Sequence, residues 1–240
     1  SLTEAETIQL LQQAPKAYRT QINDILLTAL VLAVGDWTRS YDLSLSLEGH
    51  GREEIIKDID LSRTVGWFTS IFPVYLKIEN PKDLAESLKT VKESLRQIPN
   101  KGIGYGILKY LAKEDILLSK DYKYPSLSFN YLGQWDNTLI KDSLFKFASE
   151  PTGESVSAEN KALHLVDINA EVLQGVLNIN CSYSLNHYYP ETIEALAKGF
   201  VLNLRRLIQH CCQDSNFGYT PSDFNLITVS QKDLNVSFGE

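Results

Sequence analysis

Leu43-Ser44-Leu45-Ser46-Leu47-Glu48 alternates apolar and polar residues without a fault. That alternation commits the run to a strand with one buried face. The leucines take one side; Ser44, Ser46 and Glu48 take the other. The run passes directly into Gly49-His50-Gly51-Arg52-Glu53. Glycines at this point let other backbone, or a ligand, approach closely. A carboxylate is therefore presented from the end of a rigid strand. Two uses fit it equally well: a general base, or a buried Glu–Arg structural pair.

The rest of the chain mixes helical and strand patterns and predicts an α/β layered domain. Thr3 and Glu6 form a capping-box pattern opening a helix to about Gln13, with Pro15 ending it. Thr20 to Arg39 is apolar on nearly every side and predicts a buried helix. Ile71 to Ile78 reads as a strand, and Pro73 places it at an edge or a bulge. Asn80-Pro81 predicts the start of a helix striped by Leu84, Leu88, Val91 and Leu95. Gly102, Gly104 and Gly106 predict a flexible segment before a helix from Ile107 to Lys113. Leu127 to Leu132 reads as a strand, and residues 134–160 as loop. Leu163 to Leu173 and Val176 to Ser184 predict a hairpin about Gln174-Gly175. Pro190 to Cys212 predicts an amphipathic helix. The organisation expected is one lobe over residues 1–215 and a tail or linker over 216–240.

Bulk properties remove several function classes. With 240 residues the chain can bury a sizeable core. A net charge of −7, with no cluster of Lys and Arg, argues against nucleic acid as a partner. The longest apolar run, Ile25 to Val34, is too short to span a bilayer, so no membrane partner is expected. Cys181, Cys211 and Cys212 are an odd set, and no secretory signal is visible, so a reduced, cytoplasmic setting is expected. The chain has no Met and begins with Ser1, as a piece of a longer polypeptide would.

Individual motifs have plain structural readings. The four histidines, His50, His164, His187 and His210, lie in separate elements without ligand-spaced partners, so no metal site is expected. His50 is read as supporting structure. Gly102-Ile103-Gly104-Tyr105-Gly106 lacks the Gly-Lys-Ser/Thr ending of a phosphate loop and reads as a close-packed turn. In Arg63-Thr64-Val65-Gly66-Trp67-Phe68, the aromatics Trp67 and Phe68 are expected in the core, and Arg63 is expected to pair with Glu48 or Asp60. Phe129-Asn130-Tyr131-Leu132 places Asn130 and Tyr131 on opposite strand faces, where both need hydrogen-bond partners if buried.

The order of these motifs resembles that of the epimerization domain of nonribosomal peptide synthetases, in the condensation-domain superfamily. Asp24 to Ala29 is similar to Asp-x-Leu-Leu-x-Ala, with Val31 where the pattern continues with Gly. Glu48 to Glu53 matches Glu-Gly-His-Gly-Arg-Glu. Arg63 to Leu76 matches Arg-Thr-Val-Gly-Trp-Phe-Thr-x-x-Tyr-Pro-x-x-Leu, with Phe72 for Tyr. Pro99 to Gly106 matches Pro-x-x-Gly-x-Gly-Tyr-Gly, and Phe129 to Gln134 matches Phe-Asn-Tyr-Leu-Gly-Gln. Thr220 to Phe224 is similar to the linker leading out of such domains. The family's His-His-x-x-x-Asp-Gly motif has no counterpart here.

The resemblance implies a fold like chloramphenicol acetyltransferase, a CoA-dependent acyltransferase-like layered sheet with helices, and a chain that is the C-terminal half of a two-lobed domain. It implies inversion of the α-carbon, L to D, of an aminoacyl or peptidyl thioester. No cofactor is expected to bind directly. The substrate would arrive on the 4′-phosphopantetheine arm of a peptidyl carrier protein. Further partners would be the N-terminal lobe bearing the His-His motif and the neighbouring synthetase domains. Glu48 would be one acid–base group. Asn130 would donate to the enolate oxygen, and Tyr131 would donate or relay a proton. His50, Arg52, Arg63 and Trp67 would support the site. A peptide-bond-forming condensation domain and a non-catalytic carrier-docking platform are the alternatives.

Overall fold

The computed structural model describes residues 1–53, 55, 57–112, 123–135, 150, 153, 157, 160–224 and 229–238. Its centre is a five-stranded sheet of β1 (Asp42–Gly49), β2 (Ser70–Lys77), β3 (Leu127–Gln134), β4 (Val166–Leu173) and β5 (Val176–Tyr183), in the order β2-β1-β3-β4-β5. Two antiparallel hairpins, β1–β2 and β4–β5, are joined through β3, which runs parallel to both neighbours. Gln174 and Gly175 both adopt positive φ, +53° and +74°, as the tight β4–β5 turn requires. Pro73 lies on β2, an edge strand, where a residue without an N–H is tolerated.

One face of the sheet is covered by α3 (Ile22–Thr38) and α6 (Pro190–Cys211). Leu45, Leu47, Phe129, Ile168 and Leu177 meet helical residues such as Leu30 and Phe200 in one continuous core, with the Phe129 and Phe200 rings edge-on. The α3 helix is buried from Asp24 through Gly35 without a break, which is why its sequence carries no clear stripe. The α4 helix (Leu84–Arg96) flanks β2.

Several element boundaries differ from the sequence expectation. Pro15 does not end the N-terminal helix. The chain runs through α1 (Glu4–Ile8) and a wider π-type stretch (Gln9–Gln13) into α2 (Ala14–Tyr18), where Pro15 occupies the first turn. A proline there lacks only an N–H that has no essential partner. The α4 helix starts after Pro81, because Asp83 supplies the cap, accepting the Glu86 N–H at 2.9 Å. The glycine-rich run is itself helical: Pro99–Gly102 is a 3₁₀ turn and α5 spans Ile103–Gly106. Gly102 has φ +82°, and a Cβ there would sit 2.2 Å from the Phe72 ring.

Residues 216–240, read from the sequence as tail and linker, include a 3₁₀ turn at Pro221–Asp223 and a helix, α7 (Gln231–Phe238). Lys92 of α4 bonds Asp223, and Ser222 donates to Glu93 at 2.5 Å. Much of the loop expected over 134–160, and Lys113 at the end of a predicted helix, lie outside the described residues.

Candidate active site

The Glu48 carboxyl lies at the end of β1, on the face away from α3 and α6. It is half-buried and lines a cavity of about 310 Å³ with His50, Glu53, Phe72, Asp24, Arg96 and Lys101. Its hydrogen-bond partner is Asn130 of the neighbouring β3, whose Nδ2 donates to Oε2 at 2.8 Å. The parallel register that sets Ser46 against Ser128 carries Glu48 to Asn130 one rung further. Burial pushes the Glu48 carboxyl above the ordinary carboxylate range, and the Asp167 charge adds to that; His164 acts in the opposite direction.

Of the two uses open to Glu48 in the sequence, the arginine-locked pair falls to another residue. Arg96 takes Asp24 with two bonds, 3.0 and 2.7 Å. Asp24 also accepts the Gln21 N–H at 2.6 Å, capping α3. Glu48 is left with a neutral amide donor and an open cavity. Asn130 retains a second N–H beyond the one it gives to Glu48.

Tyr131 is on the other side of β3. It opposes Ala170 and packs against the helix-facing core, where its buried hydroxyl finds no partner among the described residues. Burial raises its pKa. The structure therefore brings Glu48 and Asn130 together and keeps Tyr131 apart; the irregularity in β3 comes after Tyr131, at Gly133.

The supporting residues divide. Arg52 donates to the carbonyls of Leu61, Thr64 and Gly66, at 2.6, 2.7 and 3.3 Å, and stacks on Phe68 at 4.4 Å. It staples the loop that follows the motif. His50 is 64% exposed; its Nδ1 accepts the Arg52 N–H at 3.0 Å and its Nε2 is 3.4 Å from Glu53. Trp67, expected in the core, is 92% exposed. Phe68 is only partly buried. Arg52 covers the Phe68 ring, while the preceding ring, Trp67, points outward. Arg63 is exposed, and neither Glu48 nor Asp60 holds it: Glu48 accepts from Asn130, and Asp60 accepts the Ser62 N–H.

Sequence reasoning passed over a second polar group on this face. His164 meets Ser46 Oγ and Asp167, and Ser128 donates to the same Asp167 oxygen. The only signal for it was that Ser46, Ser128 and Asp167 sit on the polar side of their strands; the register that aligns them is not in any local pattern. Among the described residues, no group of three or more His, Cys, Asp and Glu side chains is placed to hold a metal ion, and no helix is long and apolar enough to cross a membrane. A larger cavity, about 640 Å³, lies between α4 and the C-terminal segment and shares no residue with the Glu48 cavity.

A family profile described as the condensation domain matches residues 1–225. The chain belongs to the condensation-domain family. Within that family it is 44% identical over 234 residues to bacitracin synthase 2 of Bacillus licheniformis, covering 98% of this chain and 9% of that protein. It is 43% identical over 227 residues to surfactin synthase subunit 1 of Bacillus subtilis (strain 168), covering 93% of this chain and 6% of that one. The condensation-family chain thus spans a small part of these relatives. Among solved structures, the epimerization domain from the third module of tyrocidine synthetase B superposes with a TM-score of 0.80 at 42% identity, over 88% of this chain and 47% of that one. The first condensation domain of the CDA synthetase shares the fold, with a TM-score of 0.58 at 14% identity, over 88% of this chain and 45% of that one. The sheet and its helices thus have the CoA-dependent acyltransferase-like fold, similar to chloramphenicol acetyltransferase.

Proposed function

We propose that this chain supplies one half of an epimerization site. It inverts the α-carbon, L to D, of an aminoacyl or peptidyl group held as a thioester on the 4′-phosphopantetheine arm of a peptidyl carrier protein. The thioester carbonyl makes the α-proton removable, because the resulting carbanion is delocalised as an enolate. What the protein must add is acid–base groups on opposite faces and donors toward the developing oxyanion.

One observation carries the reading: Glu48 is half-buried beside a cavity, bonded to a neutral amide rather than an arginine, with its proton affinity raised. An ordinary surface carboxylate is too weak a base for an α-proton; a raised one is a better match. Asn130 holds the carboxyl in place and keeps one N–H that can serve the enolate oxygen. Tyr131, on the far side of β3, can act only through Asn130 and the strand. The opposing acid would come from a histidine of a partner lobe bearing His-His-x-x-x-Asp-Gly, since this chain contains no His-His pair.

Peptide-bond formation is the second reading, favoured by the family profile itself. The 42% identity to an epimerization domain, against 14% to a condensation domain, supports inversion over it. The test is Glu48→Gln in the intact synthetase, assayed on carrier-loaded L substrate. Release of D product should fall about 100-fold or more. Near-normal D product would remove Glu48 from the chemistry; dipeptide formation without inversion would favour the second reading.

A further inference from the structure

Ser46, Ser128 and Asp167 lie side by side across β1, β3 and β4 as register partners. Glu48 and Asn130 form the next rung on the same face. His164, just before β4, covers the first rung: Nε2 is 3.0 Å from Ser46 Oγ, and Nδ1 is 3.1 Å from Asp167 Oδ1. Ser128 Oγ donates to that same Asp167 oxygen. Ser46, Ser128 and His164 are all buried.

The sequence of contacts, Ser to His to Asp, is that of a hydrolase triad. Ser46, however, is 2% exposed, so its hydroxyl is not presented as a nucleophile. The group acts on its neighbour instead. We propose that Asp167 and His164 are positioning residues of the Glu48 site, a carboxylate–imidazole pair whose net charge acts on the Glu48 carboxyl across one rung of the sheet.

The other charged groups around Glu48 are already matched. In its cavity, Arg96 holds Asp24 at 2.7 Å. Lys101 holds Glu53 at 2.8 Å, with His50 at 3.4 Å. Asp167 is different: its side chain, 40% exposed, is held by a hydroxyl and an imidazole, and among the described residues no lysine or arginine pairs with it. Ionised Asp167 opposes ionisation of Glu48, and protonated His164 favours it, as the directions at Glu48 require. His164 itself faces Asp167 and Ser46. Asp167 thus raises, and His164 lowers, the proton affinity of Glu48 from one rung away. The use of this coupling rests on the epimerization reading above; the coupling itself does not.

The test is a carbon-13 NMR titration of the 240-residue chain labelled in its glutamate carboxyls. The Glu48 signal is the one absent from Glu48→Gln. In Asp167→Asn the Glu48 midpoint should move to lower pH. In His164→Gln it should move to higher pH, because the cation that favoured the ionised form is gone. Ser44→Ala, on the same strand face and uncharged, should leave it where it was. Identical midpoints in wild type, Asp167→Asn and His164→Gln would overturn the proposal. If Asp167→Asn does not fold, judged by circular dichroism, the His164→Gln arm decides alone. In the intact synthetase the acid limb of the kcat profile should move in the same directions. Shifted midpoints with inversion surviving Glu48→Gln would retire the epimerization role and leave the coupling standing. Fixed midpoints with inversion abolished would do the reverse.

Discussion

Lys92 Nζ lies 2.8 Å from both carboxylate oxygens of Asp223, a residue 131 positions later in the chain. A third bond, 2.9 Å, runs to the Tyr18 carbonyl. The lysine is 1% exposed. One ammonium thus ties together the end of α2, the middle of α4 and the segment leaving α6.

Removing one member of a buried pair strands the other charge. Lys92→Met should therefore cost about 3–5 kcal/mol in urea denaturation. The double change Lys92→Met with Asp223→Asn should recover much of the loss, because no charge is left buried. Equal losses in the single and double variants would show that Asp223 is solvated without its partner.

The raised proton affinity of Glu48 has a sign that stability measurements can read. A carboxyl whose folded pKa lies above its unfolded one binds more protons when folded. Its contribution is therefore favourable at low pH and is lost as pH rises from the unfolded value through the folded one. Glu48→Gln removes that term. The melting temperature of the variant relative to wild type should increase between about pH 4, near the ordinary Glu value, and neutrality. A difference constant with pH would mean Glu48 titrates alike in both states.

Gly102 has left-handed φ and abuts the Phe72 ring, which also lines the Glu48 cavity. Gly102→Ala combines backbone strain of about 1–2 kcal/mol with overpacking of about 1–3 kcal/mol, for a loss near 3 kcal/mol. Gly104→Ala, where a Cβ meets nothing within 4 Å, should be neutral or slightly stabilising within its helical turn. Thermal melts of the two variants separate these cases.

Arg52 should act locally. Its three carbonyl acceptors lie in one loop, between Leu61 and Gly66. Arg52→Lys keeps the charge but loses the fork that reaches several acceptors at once. Limited proteolysis at residues 61–66 should accelerate, with the global melting temperature changed little. Protection equal to wild type would place the loop's order elsewhere.

The sequence was most legible where one period governs a whole element. Leu43 to Glu48 alternates because one face meets helices and the other does not. The Gln174-Gly175 turn and the Pro73 edge follow from what those residues' backbones permit. Boundaries set by a cap were harder: Asp83, not Pro81, opens α4, since a side-chain acceptor outweighs a favourable φ. Trp67 shows the limit of reading aromatics as core, because burial depends on what is brought to the ring. Glu48 was readable as a strand-end carboxylate, but its partner was not. Asn130 reaches it only through strand order and register, which no local pattern encodes. His164 and Asp167 were invisible for the same reason.

Among the described residues, β1 and β3 share only two register pairs, Ser46 with Ser128 and Leu47 with Phe129, whereas the flanking hairpins are zipped along their full length. The carboxyl and the amide that meet across this short seam come from different hairpin neighbourhoods of the chain. Warming or mild denaturant would part them first, while both hairpins and the helical layer still stand. On the epimerization reading, loss of inversion would then precede loss of shape.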